Sequence, residues 1–225
     1  MQVDLRGPSG RLEALYEEPA EARFAAVVCH PHPLFGGTMH NHATYRLAKA
    51  VRALGGAALR FHYRGVGRST GAYDEGRGET EDAGAALAWL AARRPELPRL
   101  SCGFSFGAWV AIRAGCADGG ARAVVCAGVA LRELVDRPIE LLRSCPKPLA
   151  VVQAEQDEFG APEQVRELLQ GAAAPREFVQ VGGATHLFTE KLPEYQAACE
   201  EALRWALAEA GVPHAPRPRT PRPTR

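Results

Sequence analysis

Gly103-Phe104-Ser105-Phe106-Gly107 places a serine between two glycines, where an apolar run gives way to a helical pattern. A hydroxyl becomes a useful nucleophile only when a base removes its proton, and the base needs an acid to orient it. Two later loops carry those residue types. The apolar run 148–154 is followed by Glu155-Gln156-Asp157-Glu158, and the run 176–181 by Gly182-Gly183-Ala184-Thr185-His186. We therefore take Ser105 as candidate nucleophile, His186 as base and Asp157 as orienting acid, with Glu155, Glu158 and Asp136 as competitors for the last role. Such a set performs acyl transfer, in which the serine is transiently acylated. The flanking glycines fit a turn too crowded for a side chain two residues before or after the serine.

Acyl transfer also needs N–H groups aimed at the developing oxyanion. The Phe106 N–H, at a helix start just after the serine, is one candidate. The loop Cys29-His30-Pro31-His32-Pro33-Leu34-Phe35-Gly36-Gly37-Thr38 follows another apolar run and is placed to supply the second. Prolines have no N–H, so the donor there is His32, Leu34 or a neighbour. Aligned on a His-Gly-x oxyanion pattern, His32 falls at the donating position, with Leu34 as the alternative. His30, His32, His40 and His42 also form two His-x-His pairs, which could hold a metal. No further ligands follow at suitable spacing, and the prolines suggest loop shaping, so the expectation is no metal.

These loops need a scaffold. Strand-like runs occur at 11–17, 23–29, 57–63, 99–103, 121–128, 148–154 and 176–181, alternating with helical patterns at 41–54, 79–93, 105–116, 162–170 and 192–210. That alternation predicts an α/β domain, a mostly parallel sheet with helices on both faces. Residues 2–5 and 11–17 have no helix between them and should form an antiparallel hairpin at one edge. The serine turn and the three loops carrying the other candidates then leave the carboxyl edge of the sheet. The acids at 79–82 open a helix, where capping is the expected role.

With 225 residues, 46% hydrophobic, the chain can form one domain with a substantial core. The expected division is a single domain over 1–212 and an extended tail over 213–225, with five prolines and four arginines. A net charge of +1 excludes a generally basic nucleic-acid binder. No apolar stretch reaches the roughly 18 residues a membrane helix needs, and the first residues lack a signal-peptide core. The six cysteines form no Cys-x-x-Cys pair. Buried free thiols in a reducing cytoplasm are expected.

Taken together, the 103–107 elbow, Asp157, His186, the 30–39 loop and Arg64-Gly65-Val66-Gly67-Arg68-Ser69 resemble the α/β-hydrolase superfamily over roughly residues 12–210. The resemblance is greatest to its small lidless members, related to dienelactone hydrolase and to prolyl-peptidase-like (Xaa-Pro dipeptidyl-peptidase-like) domains. The order Ser…Asp…His is that of the superfamily. One departure is His62, which stands where superfamily members often have an aspartate two residues before the arginine. The resemblance implies a cofactor-free serine hydrolase acting on a small ester, thioester, lactone or similar acyl substrate, with peptides as a further option. The segment from 130 to 145 leaves room for only a minimal cap of one short helix. A catalytically silent binding protein with the same fold is the alternative.

Overall fold

The computed structural model describes residues 1–132 and 139–215. Eight strands form one sheet: β1 (Gln2–Gly7), β2 (Gly10–Glu17), β3 (Phe24–Cys29), β4 (Gly56–Phe61), β5 (Arg99–Phe104), β6 (Ala121–Ala127), β7 (Leu149–Gln156) and β8 (Arg176–Thr185). The helices are α1 (His42–Ala53), α2 (Arg77–Arg93), α3 (Phe106–Ala117), the four-residue α4 (Leu141–Ser144), α5 (Pro162–Leu169) and α6 (Leu192–Glu209). The sheet order is β1-β2-β4-β3-β5-β6-β7-β8. β1 and β2 form an antiparallel hairpin at one edge, β2 meets β4 antiparallel, and every other pairing is parallel.

Continuous apolar strands divide their side chains between two cores. On β3, Phe24, Ala26 and Val28 face the layer of α1 and α6, while Ala25, Val27 and Cys29 face α2 and α3. This period of two explains why the strand is apolar throughout: both faces are covered. A third cluster seats α3, α4 and α5 over β6 and β7.

The chain runs from β3 through α1 to β4 on one side, then returns through α2 to β5 on the other. The carboxyl ends of β3 and β5 therefore flank the point where the winding reverses, the place where open α/β sheets form their crevice. Cys29 lies opposite Gly103, so the 30–38 loop and the serine turn leave the sheet at one level.

Two expectations need correction. Cys116, in the last turn of α3, and Cys145, just after α4, form a disulfide, with Cα atoms 5.5 Å apart across 29 residues of sequence. The fold brings them together, and no local spacing could announce it. Cys29, Cys102, Cys126 and Cys199 are free and buried. The cysteines therefore do not argue for a reducing compartment. No helix among the described residues is long and apolar enough to cross a membrane. The second correction concerns β8, which continues past Val181 to Thr185. Between the pairs Ala154–Val181 and Gln156–Thr185, β8 carries two residues more than β7, and Gly183 takes a left-handed φ of 66° there. At the far end, the Ala215 N–H donates to the Leu54 carbonyl and His214 O accepts from Arg23, so 214–215 lie against the body. The rest of the tail lies outside the described residues.

Candidate active site

Ser105 occupies the tight turn between β5 and α3 with φ 59° and ψ −121°, a conformation that strains any residue with a Cβ. The neighbouring glycines leave it room. A Cβ on Gly103 would overlap the Gly107 carbonyl, and one on Gly107 would overlap the carbonyls of Cys29 and His30. The turn leaves Ser105 half-buried, with its hydroxyl toward the loop after β8.

Ser105 Oγ lies 2.9 Å from His186 Nε2, and His186 Nδ1 lies 2.9 Å from both carboxylate oxygens of Asp157. A carboxylate only accepts, so Nδ1 carries the ring proton and Nε2 offers its lone pair to the serine. The Asp157 carboxylate also accepts the Phe159 and Gly160 N–H groups and the Gln153 amide. Glu155 and Glu158, the nearby competitors, bond the backbone instead: Glu155 accepts the Gly183 N–H, and Glu158 accepts the His186 N–H. Asp136 lies outside the described residues. The His186 ring rests against Phe159 and Phe104, with centroids 4.7 and 5.4 Å away. Gly128, at the end of β6, leaves space there; a Cβ would stand 3.2 Å from His186 Cε1.

The loop after β3 is fixed by its two histidines. His30 is fully buried; its Nδ1 donates to the Pro31 carbonyl and its Nε2 accepts the Tyr63 N–H. Burial pushes its pKa down to about 3, so the ring is neutral. His32 Nδ1 accepts the Leu34 N–H at 3.2 Å, and its Nε2 meets the Tyr73 hydroxyl at 3.1 Å. The ring nitrogens of both histidines are thus committed to protein groups. The Leu34 N–H is turned into the His32 ring, whereas the N–H groups of His32 and Phe106 meet no acceptor among the described residues.

Several supporting residues escaped sequence reasoning. Gln153 is fully buried on β7; its amide donates to Asp157 and to the Gly160 carbonyl, with the Val129 carbonyl 3.3 Å away, and its Oε1 accepts the Val129 N–H. A lone glutamine in the run Leu149-Ala150-Val151-Val152-Gln153-Ala154 was the available signal. Glu13 on β2 accepts the Arg68 N–H and faces His62 Nδ1 at 3.2 Å. The backbone bond from Arg68 brings its pKa down to about 2. A glutamate from the neighbouring strand thereby fastens the loop around His62. Glu79 caps α2 through the Gly76 N–H, but Asp82, expected to help cap, is buried and clamps Arg64 through its N–H, Nε and Nη2.

A family description, the dienelactone hydrolase family, matches residues 73–209. The chain belongs to the dienelactone hydrolase family. It is 32% identical over 209 residues to the uncharacterized protein RP471 of Rickettsia prowazekii, covering 90% of this chain and 88% of that one. An α/β serine hydrolase homologue from Coxiella burnetii superposes with a TM-score of 0.83 at 34% identity, covering 90% of this chain and 97% of that one. XC6422 of Xanthomonas campestris, described as an α/β serine hydrolase without a lid, gives 0.79 at 32% identity, covering 92% and 94%. The fold is therefore the α/β-hydrolase fold. The family match starts at Tyr73 and so does not include the 30–38 loop. Leu34, Phe35 and Leu187, neighbours in sequence of the site residues, are 65%, 83% and 52% exposed.

Proposed function

We propose that this protein is a serine hydrolase that cleaves small ester, thioester, lactone or similar acyl substrates through an acyl-enzyme intermediate. The unbroken hydrogen-bonded chain from Ser105 through His186 to Asp157 carries the reading. Ser105 Oγ attacks the carbonyl carbon while His186 Nε2 takes its proton, and Asp157 stabilises the imidazolium. The oxyanion receives the N–H groups of Phe106 and His32, rather than Leu34. One such donor contributes on the order of 3 kcal/mol to the transition state. His186 then protonates the leaving group, water attacks the acyl carbon by the same route in reverse, and Ser105 is regenerated.

No metal or cofactor enters this sequence. The committed nitrogens of His30 and His32 favour loop shaping over metal binding. Residues 133–138 of the expected cap segment lie outside the described residues; by likeness to the lidless XC6422, short or surface-accessible acyl groups fit better than long lipids. The test is a panel of short p-nitrophenyl esters, thioesters and lactones with wild type and Ser105→Ala in parallel, each with and without prior chelation. Turnover by the wild type that chelation spares and Ser105→Ala abolishes is expected. Turnover that survives in Ser105→Ala would refute the mechanism, and a protein inert to the whole panel would favour the binding-protein alternative.

A further inference from the structure

Tyr73, in the loop before α2, is half-buried and touches the candidate site through two rings. Its ring centroid lies 5.0 Å from that of His32 and 6.1 Å from that of Phe106, and those rings lie 4.8 Å from each other. His32 and Phe106 are the residues whose free N–H groups converge on the oxyanion position in the proposed mechanism. The exposed Phe35 ring also packs, tilted, against the His32 ring, with centroids 4.7 Å apart. Tyr73, His32, Phe35 and Phe106 thus form one aromatic cluster that includes the residue following the nucleophile.

The hydrogen bonds of His32 fix the direction of the Tyr73 contact. Nδ1 accepts the Leu34 N–H, so it carries no proton. A neutral imidazole must then carry its proton on Nε2, which therefore donates to the Tyr73 oxygen 3.1 Å away. Were the tyrosine the donor, the ring would have no proton at all. The phenolic proton is left without an acceptor among the described residues. Burial lowers the pKa of His32 and raises that of Tyr73, so both groups keep these protonation states near neutral pH.

We propose, on the basis of the hydrolase reading, that the Tyr73 hydroxyl donates to the substrate and selects acyl groups that carry an acceptor oxygen. His32 has a double part: its main chain faces the oxyanion, and its ring orients and polarises the phenol. Tyr73 is a specificity-determining residue, and the chemistry at Ser105 does not pass through it.

Matched esters test this. We would measure kcat/KM for p-nitrophenyl methoxyacetate against butyrate, and for 3-methoxypropionate against valerate, pairs equal in chain length but differing in one oxygen. In Tyr73→Phe the oxygen-to-methylene ratio should fall about tenfold in at least one pair, the effect of one lost hydrogen bond. His32→Asn retains a main-chain N–H and an acceptor for Leu34 but cannot reach Tyr73, and should move the ratio in the same direction. Ratios within about twofold of wild type in both pairs for Tyr73→Phe, including an equal loss on every ester, would overturn the proposal, since a tyrosine that only holds the loop acts on all substrates alike. The Ser105→Ala control separates the two levels: undiminished turnover there would refute the hydrolase reading itself.

Discussion

Gln153→Leu probes the support beneath the acid. Leucine has nearly the same volume but no polar atoms, so β7 keeps its packing and loses one network. The Val129 N–H loses its acceptor, the Gly160 carbonyl loses its donor, and Asp157 loses one of its donors. Each buried polar group stranded in this way costs about 1–3 kcal/mol. Asp157 keeps other donors, so the two stranded groups sum to about 2–6 kcal/mol, which a domain near the middle of the roughly 5–15 kcal/mol range survives. At about 2–4 °C per kcal/mol for a chain of this size, the melting temperature should drop on the order of 10 °C. Asp157 still accepts the Phe159 and Gly160 N–H groups, so it keeps its place but holds His186 less firmly. We expect kcat on a short p-nitrophenyl ester to fall about 10–100-fold, measured well below the melting point, with KM changing much less. Urea denaturation and thermal melting give the stability arm. A variant that melts within about 2 °C of wild type and retains its kcat would refute the reasoning.

Asp157→Asn should lower kcat by roughly 10⁴ through the wrong imidazole tautomer, while Glu155→Gln and Glu158→Gln do far less; parallel steady-state kinetics decide between them. Acid should destabilise the protein in two stages. His30 takes up a proton near 6.5 when unfolded but only at about 3 when folded, so its contribution is complete above 6.5 and declines as pH falls, by about tenfold in the folding constant per pH unit. Glu13 has the same sign, its share being present above 4.5 and lost as pH falls toward about 2. Urea midpoints at pH 7, 6 and 5 should therefore fall steadily, and flat midpoints would contradict the burial of His30. Reducing the Cys116–Cys145 bond, or replacing both cysteines with serine, should cost about 3–4 kcal/mol of stability, given the 29-residue separation. Denaturation with and without reductant reads this directly.

The features legible in the sequence were those written locally. Short apolar runs alternating with amphipathic stretches gave the layers, and the glycines at 103 and 107 marked a turn with no space for side chains. Features that depend on partners distant in sequence could not be read there. Glu13 reaches Arg68 and His62 only because β2 lies beside β4, a sheet order that alternation does not specify. Asp82 looked like one more acid at a helix start, and only the folded chain brings Arg64 to it. The Leu34 alternative stayed open for the same reason: only the folded loop brings the His32 ring to the Leu34 N–H. The β8 bulge was hidden because glycines at 182 and 183 signal a turn equally well.

The nucleophile is the central claim, and covalent labelling tests it most directly. The protein should be treated with a fluorophosphonate and its mass and labelled peptide determined by mass spectrometry, alongside Ser105→Ala and His186→Ala. Only an activated serine reacts readily with such a reagent. The account predicts a single adduct per chain, on Ser105, with turnover lost in step with labelling. Ser105→Ala should take no label, and His186→Ala should label far more slowly. An active protein that takes up no label, or takes it elsewhere with Ser105 untouched, would contradict the account.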